Sequence, residues 1–226
     1  MSNPTFGYLA SLTPSANSKT VLHTADVGKL VEGKLTITHK NPFPTRVRVG
    51  VGIGDVTNFN PSSYIIYDYI IGEGESYETD SIFYADEQNL VVESDKDNTS
   101  FIIQGQMLDD PTGKSGFVNS LSTGSNINTD QVLYTVPSGE EADVNIFITN
   151  QGSDPARIRL GVSSENQITL GSSEYMEYNF DINPRQTYQR TDIKVRGDQS
   201  VVVWSNDPGV AFAAYAKFNY SIITTD

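Results

Sequence analysis

Cysteine is absent from the 226 residues, which excludes disulfides, thiolate nucleophiles and zinc–thiolate sites. Histidine occurs only at His23 and His39, so a Ser–His or metal–His constellation has almost nothing to draw on. Positive charge is scarce: 15 Lys and Arg stand against 28 Asp and Glu, a formal net charge of -13. Phosphate contacts need clustered basic residues, so no nucleic-acid partner is expected. Long hydrophobic runs are missing too. "SVVVW" and "VAFAAYA" are far shorter than a bilayer span, and no membrane partner is expected. The opening "MSNPTFGYLASL" lacks the basic and apolar regions of a signal peptide, so synthesis in a cytoplasm is the expectation.

What is present is a core's worth of apolar side chains, 37% of the chain, with ten Phe and twelve Tyr. Two of only seven arginines fall in "PTRVRVGV", residues 44–51. The stretch recurs 111 positions later as "PARIRLGV", residues 155–162. "GYLASL" returns as "GFVNSL", "TVLHTADVG" as "QVLYTVPSG", and "SSYIIYDYII" as "SEYMEYNFDI". "EQNLVVESDKDNTSFI" returns as "DQSVVVWSNDPGVAFA". Self-similarity of this extent indicates duplication. The expected domains are 1–111 and 112–226, joined near "LDDPTGKS".

Each half reads as short strands. "ARIRLGV" alternates Arg157 and Arg159 with Ile158, Leu160 and Val162, the period of a half-buried strand. "KLTITHKN" and "DVNIFITN" alternate and end in turn residues, and "NDPG" between apolar runs is a turn. No helical period is sustained. The expected fold is all-β: two tandem antiparallel β-sandwich domains, immunoglobulin-like or jelly-roll-like.

No catalytic constellation emerges. "GVGIG" follows an antiparallel-type strand and opens no helix, which removes a dinucleotide reading. "SDKDN" has oxygen ligands but lacks the Gly and Glu of a calcium loop, and its counterpart is the turn "SNDPG". The acidic run "GEGESYETD" reads as a solvated loop face. No enzymatic activity, cofactor or metal is expected. His23 and His39 take ordinary sheet positions, with Tyr134 and roughly Ile148 as their counterparts.

Tyr64, Tyr67, Tyr69 and Tyr77 reappear as Tyr175, Tyr178, Phe180 and Tyr188. Core filling is the favoured reading of these aromatics, with Tyr67 and Tyr178 as candidates for stacking glycans. The halves also differ. Ile66, Asp68 and Ile70, expected on one strand face, correspond to Glu177, Asn179 and Asp181. Two isoleucines in place of two acids mark a covered surface. Glu93 becomes Trp204, the only Trp. Ile66, Ile70 and Trp204 are therefore the candidate interface residues, between domains or between subunits.

The segment "VLYTVPSGEEADVNIFITNQGSDPARIRLGVS", residues 132–163, resembles a recurring opening in virion structural proteins of tailed bacteriophages, above all those of long-tailed phages of marine cyanobacteria. There an "LYTVP-x-G" strand and turn precedes an alternating strand, an "N-x-x-x-x-PA" turn and another strand. The first half carries a degraded copy in "VLHTADVG" and "NPFPTRVRVGV". The resemblance implies a non-enzymatic β-sandwich module that attaches to other virion proteins of the capsid, neck or tail, or to copies of itself. It places the chain in a virion assembled in the host cytoplasm. The leading expectation is a capsid decoration or cement protein. The alternatives are a neck, tail-fibre or baseplate accessory, and a glycan-binding adhesion module.

Overall fold

A computed structural model describes residues 5–54, 56, 59–110, 112–164 and 167–219. The first half forms β1 (Thr5–Leu12), β2 (Thr20–Thr24), β3 (Lys29–His39), β4 (Thr45–Ile53) and β5 (Tyr64–Ile71). It continues with β6 (Ser76–Glu78), β7 (Ile82–Ala85), β8 (Gln88–Ser94) and β9 (Thr99–Asp109). The second half forms β10 (Gly116–Ser122), β11 (Gln131–Thr135), β12 (Glu141–Asn150) and β13 (Ala156–Ser163). β14 (Tyr175–Ile182), β15 (Thr187–Arg196), β16 (Ser200–Ser205) and β17 (Val210–Phe218) complete it.

These strands make four antiparallel sheets. Sheet I has the order β1-β9-β3-β6, with β7 also on β3, and sheet II the order β2-β8-β4-β5. Sheet III is β10-β17-β12-β15 and sheet IV is β11-β16-β13-β14. Among the described residues no sheet mixes strands from the two halves. With β6 and β7 counted as one strand interrupted at residues 79–81, each half has eight strands in the same order. The first, eighth, third and sixth share one sheet; the second, seventh, fourth and fifth share the other. Chain neighbours thus alternate between sheets except at the fourth and fifth strands. That is the double Greek key of a jelly roll, and it separates the fold from the immunoglobulin arrangement.

The backbone repeats along with the side chains. Positive φ recurs at a spacing of 111 residues in five pairs: Asn17 and Asn128, Gly28 and Gly139, Asp68 and Asn179, Gly74 and Arg185, Glu87 and Asp198. An L-residue enters the left-handed region only where surrounding structure demands it. The turns and bulges of the two halves therefore serve the same geometry. Register agrees: Arg48 faces Glu93 across β4 and β8, as Arg159 faces Trp204 across β13 and β16.

The same comparison corrects the counterpart of His39, which is Asn150 rather than Ile148. His39 pairs with Thr99, and Asn150 with Val210, at equal spacing. Both side chains are buried and both hold the following turn. His39 Nε2 lies 2.7 Å from the Phe43 carbonyl oxygen, and Asn150 Nδ2 donates to the Asp154 carbonyl at 2.8 Å. The glycines of "GVGIG" are equally structural. A Cβ on Gly50 would strike the Phe59 ring, and one on Gly161 would strike Leu170, the residue equivalent to Phe59.

The halves do not pack as symmetric partners. In sheet III the even positions Val144, Ile146, Ile148, Phe212, Ala214 and Ala216 fill the second core. The odd positions Phe147, Ala213 and Tyr215 belong instead to the apolar cluster of the first half, with Ile66, Ile82 and Phe83. The outer face of sheet III has thus become the floor on which the first domain stands, touching it through β5, β7 and the turn Pro61–Ser63. This explains why β17 is apolar at both parities, since it is buried on two sides. Polar bonds seal the seam. Asn145 Nδ2 donates to the Ser81 carbonyl, Gln151 Nε2 to the Pro61 carbonyl and Gln88 Nε2 to the Phe117 carbonyl. Lys217 pairs with Glu32 at 2.8 Å.

Candidate functional site

The face-up side of sheets II and IV carries the duplicated arginines, and here the two domains part company. In the first domain Arg48 rises from β4 between β8 and β5. Its Nε donates to Asp68 Oδ1 at 2.6 Å, Nη1 lies 3.6 Å from Glu93 Oε1, and the guanidinium carbon sits 4.6 Å from the Tyr67 ring centroid. Burial lowers the Arg48 pKa, but Asp68, Tyr67 and Glu93 outweigh it and leave it raised. Burial and the Glu93 carboxylate push the nearby Tyr64 phenol up to about 12. Asp68 can reach the arginine because its backbone has a φ of 50°, which breaks the register of β5 against β4.

In the second domain Asn179 replaces Asp68 at a φ of 52°, and Trp204 replaces Glu93. Arg159 keeps the same pose without either carboxylate. Its Nε donates to Asn179 Oδ1 at 2.9 Å. The guanidinium carbon lies 4.2 Å from the Trp204 ring and 4.7 Å from that of Tyr178. Among the described residues no carboxylate pairs with Arg159, whereas Arg157 pairs with Asp181 at 3.2 Å. Tyr178 is 60% exposed, and its ring edge meets Tyr175.

The bulge at residue 68 also corrects the expectation that Ile66, Asp68 and Ile70 share one face. Ile66 is buried in the cluster that joins the two domains, while Asp68 turns to Arg48. Ile70 is 54% exposed and lines a cleft of about 470 Å³ between β5 and the second-domain residues Ser153, Pro184 and Arg185. Trp204 stands apart from this seam, on sheet IV. Tyr67 and Tyr178 occupy outer faces with an arginine over one ring face each, not the cores that the favoured reading gave them. The neighbouring aromatics Tyr69 with Tyr77, and Phe180 with Tyr188, form tilted ring pairs with centroids 4.6 and 4.5 Å apart.

Sequence reasoning missed the seam residues Phe147, Ala213 and Tyr215. Their equivalents at the 111-residue spacing are Thr36, Ile102 and Gln104, so the polar-to-aromatic exchange was visible there. His23, half-buried, has its pKa lowered by burial against the pull of Asp26, and its Nδ1 lies 2.9 Å from the Tyr84 hydroxyl.

No protein-family profile matches the chain, and no curated protein matches it. Among solved structures it is similar to the STIV MCP, with a TM-score of 0.36, 6% identity and coverage of 96% of this chain and 97% of that one. It is similar to a tandem CBM22 domain of Paenibacillus barcinonensis, with a TM-score of 0.29, 8% identity and coverage of 98% and 92%. A fucolectin from Morone saxatilis serum gives a TM-score of 0.31, 11% identity and coverage of 93% and 85%. At these identities and scores none of them assigns a family or an activity.

Proposed function

We propose that the chain is a non-enzymatic structural protein of a virus particle, seated on the capsid as a decoration or cement protein. The observation that carries this reading is the welding of two jelly rolls into one block through the outer face of sheet III. A shared apolar cluster between domains resists hinge motion, unlike the smaller, more polar seams of mobile domain pairs. Such a block presents several fixed faces at once, which suits bridging between lattice sites. Jelly rolls recur in viral capsid and lectin domains, and the "LYTVP" resemblance favours the first of these. A lattice also offers many identical sites, and two linked contacts per molecule multiply weak affinities. The acidic net charge keeps free copies apart before docking.

The test is quantitative mass spectrometry of purified particles with localisation by particle reconstruction. Decoration requires copies on the order of hundreds, as a shell of repeated sites implies. A stoichiometry of tens or fewer would move the protein to the neck or tail. Absence from particles would end the virion reading.

A further inference from the structure

We infer that Arg159, set between Trp204 and Tyr178, is a receptor for an acidic side chain presented by a partner protein. The duplication itself identifies the ligand chemistry. The same arginine in the first domain, Arg48, holds two carboxylates, one at 2.6 Å on Nε and one at 3.6 Å from Nη1. The second domain keeps the arginine, the bulge that aims its Nε partner, and the aromatic ring beneath it. It discards both carboxylates, and Asn179 supplies a single neutral acceptor in their place.

A guanidinium carries five N–H donors, and Asn179 takes one. The flanking rings contact the guanidinium, and among the described residues no carboxylate engages its remaining donors, which are the groups that recognise a carboxylate bidentately. Trp, Tyr and Arg are also the residue types that dominate interface energetics. Here all three stand in contact on one sheet face. One face of each ring is already covered by the guanidinium, which disfavours a stacked sugar. The net charge of -13 disfavours a polyanionic chain but admits a single carboxylate in a protein interface. That the partner is a protein of the particle rests on the reading above.

The decisive variant is Asn179→Asp, which restores the Asp68-type carboxylate on Nε and pairs the Arg159 charge from within the chain. Its φ of 52° suits Asp, as Asp68 demonstrates at 50°, so folding is preserved. Trp204, the only Trp, gives an emission signal from the site itself, and the Arg159 Nε–H resonance gives a second. Titration of the full chain with N-acetylglutamate methylamide should shift both signals saturably, while sodium chloride at equal ionic strength should not. Asn179→Asp should weaken the response at least tenfold and lower occupancy on particles by a similar factor. No saturable response, or an unchanged one in Asn179→Asp, overturns the site. Glucuronate binding tenfold tighter than the blocked glutamate would assign the site to an acidic sugar and overturn the protein partner. A positive titration by a chain absent from purified particles leaves the carboxylate site standing and removes the virion reading instead.

Discussion

Exchanging Phe147 and Tyr215 for their first-domain equivalents, as Phe147→Thr with Tyr215→Gln, should unlock the two domains while leaving each folded. Both side chains are essentially buried, at 2% and 0% exposure, on the face of sheet III that carries the first domain. Their rings meet edge to face with centroids 5.4 Å apart. At roughly 25 cal/mol per Å² and about 150–250 Å² per aromatic, each side chain contributes about 4–6 kcal/mol of burial. The replacements retain part of that, and residues in contact are not additive, so about 5–8 kcal/mol is the expected loss. That is on the scale of a whole domain's stability, about 5–15 kcal/mol, and it falls on the seam because these side chains point away from the second core. The single urea transition of a coupled pair should split into two, and small-angle scattering should show a larger radius. Thr36 and Gln104 show that the same sheet positions tolerate these residues, since β3 and β9 pair there in the same register. One unchanged transition at the wild-type midpoint, with unchanged scattering, would refute the assignment of the seam.

The arginines should respond unequally: Arg48→Ala strands the carboxylates of Asp68 and Glu93, both largely buried, and should cost about 1–3 kcal/mol. Arg159→Ala strands none among the described residues and loses mainly its contacts with Trp204 and Tyr178, so it should cost less, about 0.5–1 kcal/mol, as measured by parallel urea unfolding. Gly105→Ala should be severely destabilising, because a Cβ there would overlap the Glu32 carbonyl oxygen and the Gly33 Cα. Both are backbone atoms of the paired strand and have nowhere to go, so loss of soluble folded protein is the expected readout. For pH, the folded-state pKa of His23 is lowered by burial, so the unfolded chain takes up its proton first. Stability from this site is present above pH 6.5, the ordinary histidine value, and is lost as pH falls below it. His23→Tyr, which copies Tyr134, should flatten that part of the stability curve.

The strands and much of the packing were legible in the sequence, because two similar halves keep at one spacing what a backbone cannot do without. Alternation in "ARIRLGV" placed its arginines outside and its aliphatics inside, and both domains obey it. The pairs of turn residues at a spacing of 111 mark positions where backbone conformation restricts the choice of side chain. Alternation could not choose between jelly roll and immunoglobulin sandwich, since both use short half-buried strands. That choice lies in which strands pair across long separations, and no local period records it. Nor could strand arithmetic separate Ile66 from Ile70, because a bulge at residue 68 inverts the facing of the rest of β5. Ile66 went to the seam and Ile70 to a cleft. The meaning of "VAFAAYAKF" was likewise decided only in three dimensions. Its apolar residues at both parities report two buried faces, and the second face exists only because another folded domain rests on it.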